Sequence, residues 1–391
     1  MNIKPFSRAV CALLLAGAAA LLAPAPASAQ DSQVINVSGQ PLGVVAGPDG
    51  TLYVSDYNFL GGVSVFRSGE AQAFRHIKVG HFSTSMAMTS DGTLYVLQST
   101  ESMQTELGVV TPGAGEVSAT IPLTQGNHWL TTSPDGSLYV ASGNDGTVSV
   151  VLPGGTKVHR VMEAGHSPVE VTVAKGGTAY AVNQHAGTVS VIPSGATSPS
   201  HTIDVGKSSS PHGIAAAPDG NVYVANVLSN AVAVIEPGGT KVARWIRVGR
   251  EPQEVVAGPD GRVYVTNSAD NTVSVIPPGA DRVAETIPTG EDPGRLALTA
   301  DGSVVVVNRG DKTLTVFDAG LLGSAPAALS GGAVDAADDA LKVAAGWDVF
   351  SAGVPVIAAG SGALLLAGAA VLIAVLRRRR PLLSLRENIH G

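Results

Sequence analysis

The residues with the widest chemical range in this sequence are Glu170, Glu254, His128, His185, His212 and Arg295. Carboxylates and imidazoles that converge can hold a divalent cation, calcium or magnesium, or divide the work of acid and base. In a metal reading the ligands are Glu170, Glu254, His128 and His212. In a second reading Arg295 neutralises the glutamates, and His128 and His212 bond loop backbone. Both readings need a fold that gathers the residues, because they are far apart in the chain. What most of them share is a place at the opening of a repeat: Pro168-Val169-Glu170, Pro211-His212-Gly213, Pro252-Gln253-Glu254 and Pro293-Gly294-Arg295, with His128-Trp129-Leu130 taken as the third repeat's counterpart. His185 and Asn226 fall on a different loop of the repeat.

The repeat itself is marked by turns at Pro48-Asp49-Gly50, Ser90-Asp91-Gly92, Pro134-Asp135-Gly136, Lys175-Gly176-Gly177, Pro218-Asp219-Gly220, Pro259-Asp260-Gly261 and Ala300-Asp301-Gly302, spaced about 41 to 44 residues apart, the length of a four-stranded propeller blade. Asp-Gly between two apolar runs is a hairpin signal, because glycine takes positive φ without a Cβ clash. A run such as Leu138-Tyr139-Val140 or Val222-Tyr223-Val224 follows each turn and is apolar on both faces, as expected of a strand covered on both sides. A third strand follows, as in Val148-Ser149-Val150-Val151, and then an outer one, as in Arg244-Trp245-Ile246-Arg247-Val248. The loop into the first strand and the loop between the second and third share one end of the ring, so the opening residues surround the channel mouth. Asn183, Asn226, Asn267 and Asn308 are expected to cap the turn after the second strand through bonds to nearby backbone.

The seventh repeat stops after Thr313-Leu314-Thr315-Val316-Phe317 and lacks an outer strand, whereas Val34-Ile35-Asn36-Val37 matches outer-strand endings such as Ile203-Asp204-Val205. The fold class predicted is therefore all-β, a seven-bladed β-propeller over 30–320 closed by an N-terminal strand. The repeats resemble the YVTN family of propellers over roughly 34–318, most closely at Tyr264-Val265-Thr266-Asn267 followed by Asn271-Thr272-Val273-Ser274. That resemblance implies the propeller and admits surface-layer, adhesion and lactonase-like relatives. Pro211-His212-Gly213-Ile214-Ala215 and Pro218-Asp219-Gly220-Asn221 are also similar to the virginiamycin B lyase family, which implies metal, His and Glu at the channel mouth. Val222-Tyr223-Val224-Ala225-Asn226 departs from that family's aromatic-rich strand, and no His-x-Glu pair occurs within one repeat.

The ends predict location. Lys4 and Arg8, an apolar run over 9–23 and Ala27-Ser28-Ala29 make 1–29 a secretory signal peptide. The single cysteine, Cys11, leaves with it, so the mature chain has no disulfide and no thiolate ligand, and without Cys-x-x-Cys-His there is no covalent haem site. An Ala/Gly-rich linker over 321–353 leads to an uncharged apolar stretch, 354–376, long enough for one transmembrane helix. Arg377 to Arg380 open a basic tail, 377–391, that the positive-inside rule places in the cytoplasm, with the propeller outside. A net charge of -7 without a basic face excludes nucleic acid as a partner. The function expected is that of a membrane-anchored extracellular binding or scaffold module, taking a protein, glycan or small ligand at the mouth, and no strong catalytic constellation marks an enzyme. The alternative is a divalent-metal-dependent lyase or lactonase-like hydrolase using the same mouth.

Overall fold

The computed structural model describes residues 32–318, apart from Gln125 and the side chains of Asn127 and His128. The signal peptide, the linker, the apolar stretch and the basic tail lie outside the described residues. Among the described residues no helix is long and apolar enough to cross a membrane.

The strands form seven antiparallel sheets of four, each blade built in chain order from the inside of the ring outward except the last. The inner strands are Pro41–Ala46, Met86–Met88, Asn127–Thr132, Pro168–Val173, Pro211–Ala216, Pro252–Ala257 and Pro293–Leu298. Each packs beside the inner strand of the next blade, and Pro293–Leu298 returns to Pro41–Ala46, so the ring closes. This is the architecture that the YVTN resemblance implied.

The doubly apolar second strands explain where the core sits. It is divided among the gaps between neighbouring blades. Between blades four and five, Tyr180, Val182, Val189 and Ile203 meet Ile214, Val222, Val224 and Ile235. Between blades five and six, Tyr223, Val232 and Ile246 meet Val255, Val263 and Ile276. The turns are as expected in type: the Asp49 carboxylate accepts the Thr51 amide at 3.0 Å, and Gly50 sits at φ 79°. The same bond recurs at Asp135 with Ser137 and at Asp219 with Asn221. These turns lie at the end opposite the mouth.

The asparagines differ from expectation. Asn183 donates to Thr188 Oγ1 and to Ser190 Oγ, Asn267 to Thr272 and Ser274, and Asn308 to Thr313 and Thr315. Their partners are hydroxyls on the third strand, five and seven residues on, and not nearby backbone. Blade five has Ala231 and Ala233 at those two places. Asn226 accordingly turns to backbone and to the preceding linker, donating to the Val224 carbonyl and accepting from Ser209 Oγ at 2.8 Å.

Ring closure follows the strand count. Ser32–Asn36 is the outer strand of blade seven and pairs antiparallel with Thr313–Asp318, Ile35 opposite Leu314 and Val34 opposite Thr315. Ile35 is 2% exposed and packs with Val305, Val307 and Leu314 of its own blade and Val44, Leu52 and Val54 of blade one. Val34 points the other way and is 57% exposed. Both ends of the ring, Ser32 and Asp318, lie at the end with the Asp-Gly turns, since Ser303 faces Asp318. Deletion of 34–37 is expected to lower the melting temperature of the whole propeller, and an unchanged melt would overturn closure by this strand. Ile35→Ala should cost about 2–5 kcal/mol in urea unfolding and Val34→Ala within about 0.5 kcal/mol.

Candidate functional site

The level of the ring at which chemistry can be written is set by register. In every blade one inner-strand residue is apolar and faces the middle of the second strand: Val44, Met86, Leu130, Val171, Ile214, Val255 and Leu296 face Val54, Val96, Val140, Ala181, Val224, Val265 and Val306. The residue just before it, toward the mouth, is Gly43, Ser85, Trp129, Glu170, Gly213, Glu254 or Arg295. The apolar position is nearly uniform and its neighbour is not.

This register corrects one alignment. Asn127 faces Ser142 and Trp129 faces Ala141, as Pro168 faces Asn183 and Glu170 faces Val182. Trp129, not Leu130, therefore stands level with Glu170, and His128 is the counterpart of His212. Blade three has Asn127 where the other aligned openings have proline, so the residue that marks the register is missing there.

Arg295 gathers the level. Its Nη1 donates to Glu170 Oε2 at 2.9 Å and also to Glu254 Oε2. The guanidinium carbon lies 3.6 Å from the centroid of the Trp129 ring. Blades three and four are the pair farthest from blade seven in a ring of seven, so this side chain reaches across the channel. The ion pairing is the one that the second sequence reading expected. Trp129 was not foreseen as part of it.

Each carboxylate is also tied to backbone geometry. In blades three and five the inner strand carries a bulge, and a side chain of the preceding blade takes the amide that follows it. Glu170 Oε1 accepts the Ile214 amide at 3.1 Å, as Ser85 Oγ accepts the Leu130 amide at 3.1 Å. Glu254 is placed through its backbone: its amide donates to Thr266 Oγ1, which donates to the Gly294 carbonyl of blade seven at 2.8 Å. Gly213 between them is forced by proximity, since a Cβ there would come within 2.5 Å of the Gln253 carbonyl oxygen.

Glu170 is 1% and Glu254 3% exposed. Burial, and then the Glu254 charge, push the Glu170 carboxyl well above its ordinary 4.5, outweighing Arg295 and the Ile214 amide. Burial works against the charged form of Arg295 too, but Glu254 and Glu170 more than compensate and hold it protonated. Two carboxylates against one guanidinium leave one negative charge in excess, which a proton on Glu170 removes. The cluster can thus take up a proton and hold a flat cation against an indole.

His212 Nδ1 donates to the Gln253 carbonyl at 3.2 Å, one residue nearer the mouth. His185 follows the second strand of blade four, its ring 6.1 Å from that of His166. The side chain of His128 lies outside the described residues. Among the described residues no three His, Cys, Asp or Glu side chains are grouped to hold a metal ion, and the guanidinium of Arg295 bridges Glu170 and Glu254. On the loops of the same end, Phe59, Leu60, Met103 and Leu228 are exposed. Phe59 stacks on His81 with centroids 4.5 Å apart.

No family model matches the sequence, and no curated protein does. The fold has solved counterparts. Hydrazine synthase of Kuenenia stuttgartiensis superposes with a TM-score of 0.64 at 19% identity, covering 73% of this chain and 97% of that one. A catalytically inactive virginiamycin B lyase from Staphylococcus aureus, solved with quinupristin, gives 0.61 at 14%, covering 73% and 98%. The WD40 propeller domain of Doa1 gives 0.62 at 14%, covering 74% and 96%. At these identities the likeness is one of fold.

A folded pKa raised above the unfolded one contributes stability below about pH 4.5 that is lost as the pH rises through the folded value. Glu170→Gln should therefore flatten the fall in urea midpoint on going from about pH 4.5 to neutrality, and parallel curves for wild type and variant would contradict a proton on Glu170. Gly213→Ala should destabilise the ring by about 1–3 kcal/mol in the same assay.

Proposed function

We propose that this chain is an exported binding module, anchored to the membrane by 354–376 and facing outward, which holds a protein, glycan or small ligand at the channel mouth. The observation that carries the reading is the contrast between adjacent ring positions: an almost uniform apolar residue in every blade, and beside it seven positions occupied by two glycines, two glutamates, a serine, a tryptophan and an arginine. Packing alone asks every blade for the same residue, whereas recognition asks for different ones. The exposed Phe59, Leu60 and Leu228 on the same end add contact surface of the kind that interfaces use. Both ends of the ring leave by the other face.

Cross-linking on intact cells tests this with the full chain. Phe59→Asp with Leu228→Asp at the mouth should abolish the cross-linked partner, and Asp135→Lys with Asp219→Lys on the turn end should keep it. The reverse pattern would overturn the reading. External protease should digest the propeller while the basic tail, read by a C-terminal epitope, stays protected. The metal-dependent alternative requires a divalent cation beside Glu170 and Glu254, and a stoichiometric cation in the purified protein, with its loss abolishing an activity, would favour that reading instead.

A further inference from the structure

The channel cluster holds a cation between two carboxylates and against an aromatic face, and that cation belongs to the chain itself. We propose that Arg295 is a displaceable occupant, and that a guanidinium or ammonium group of the mouth's ligand takes its place between Glu170 and Glu254 over the Trp129 ring. The proposal rests on the binding reading above and names the chemistry of the ligand.

Three features support exchange over a permanent latch. The first is access: the Arg295 side chain is 18% exposed, whereas those of Glu170 and Glu254 are 2% and 4% exposed, so the arginine is more accessible than either acid that holds it. The second is how it is held. Both carboxylates accept from the same nitrogen, Nη1, an arrangement short of the paired fork in which a guanidinium meets a carboxylate most strongly. The third is charge: two acids face one base, and the proton held by Glu170 can leave as a ligand cation enters beside Arg295, so the cluster gains no net charge while both cations are present.

Stability does not account for the cluster. Buried ion pairs contribute little over well-packed apolar side chains, and the next residue along each of these inner strands, as Leu130, Val171, Ile214 and Val255, already packs in the apolar core between blades. The indole adds something a structural acid-base pair does not need: a π face, which attracts a desolvated cation and gives nothing to an anion. Gly43, Ser85 and Gly213, at the same level, put no long side chain in competition for it. An anionic ligand would meet the carboxyl groups of Glu170 and Glu254 themselves, and a neutral one cannot replace the charge of Arg295.

Calorimetric titration of the full chain in detergent with n-butylguanidinium, and with neutral n-butylurea as control, tests this. Wild type should bind the cation, Arg295→Ala should bind it about tenfold or more tightly because the internal competitor is gone, and Glu170→Gln or Glu254→Gln should weaken it about tenfold or more. Butylurea should not bind. Arg295→Gln keeps hydrogen-bonding capacity without charge and should shift affinity in the same direction if Arg295→Ala does not fold. Binding by the Arg295 variants but not by wild type would make Arg295 a fixed latch and overturn the proposal. So would equal affinities, or binding of butylurea. If the mouth variants lose their cross-linked partner while no form of the protein binds butylguanidinium, the cation falls and the binding module stands.

Discussion

Each blade is apolar on both faces, and that constraint governs the molecule. A sheet of four short strands with two faces to bury cannot stand alone. It must be sandwiched between two others, and only a closed circle gives every sheet two neighbours. The gap between blades is consequently the unit of the core, as where Tyr180 and Ile203 of one blade meet Ile214 and Val224 of the next. The polar lacing runs across the same gaps. Thr266 takes an amide from its own blade and gives a proton to the next, and Glu170 reaches the Ile214 amide of blade five.

The circle leaves a line of positions where the constraint relaxes. One step toward the mouth from the last buried inner residue, a side chain no longer packs between sheets but looks across the channel. There the blades diverge, and side chains from opposite sides of the ring can touch. Arg295 meets Trp129 and Glu170 because the channel is narrow enough for one arginine to span. Glu170 serves two structures at once, bonding a backbone amide and a distant guanidinium, and its raised pKa is the result of being buried to do both.

The parts of this arrangement visible in the sequence were those carried by local chemistry. Asp-Gly turns, the Leu-Tyr-Val runs and the missing outer strand of the seventh repeat sufficed for blade number and closure. Register was legible where proline marks the start of the inner strand and failed where Asn127 stands instead, which set Leu130 in the place of Trp129. The asparagine partners were present in the spacing of Asn267, Thr272 and Ser274, but a rule about local turns looks for backbone, and these bonds cross to a neighbouring strand. The contact between Arg295 and Trp129 has no sequence signature. It depends on two repeats lying opposite one another in a circle.

Closure by Ser32–Asn36 also sets an order of events. The first strand of the ring to be made pairs with the last, Thr313–Asp318, so it has no partner until the whole propeller has emerged, on the order of tens of seconds at ordinary rates of synthesis. Until then blade seven cannot exist, blade one has one bare face, and Val44, Leu52 and Val54 are uncovered. The nascent chain therefore carries an uncovered apolar surface at its leading end for almost the entire time it is being built.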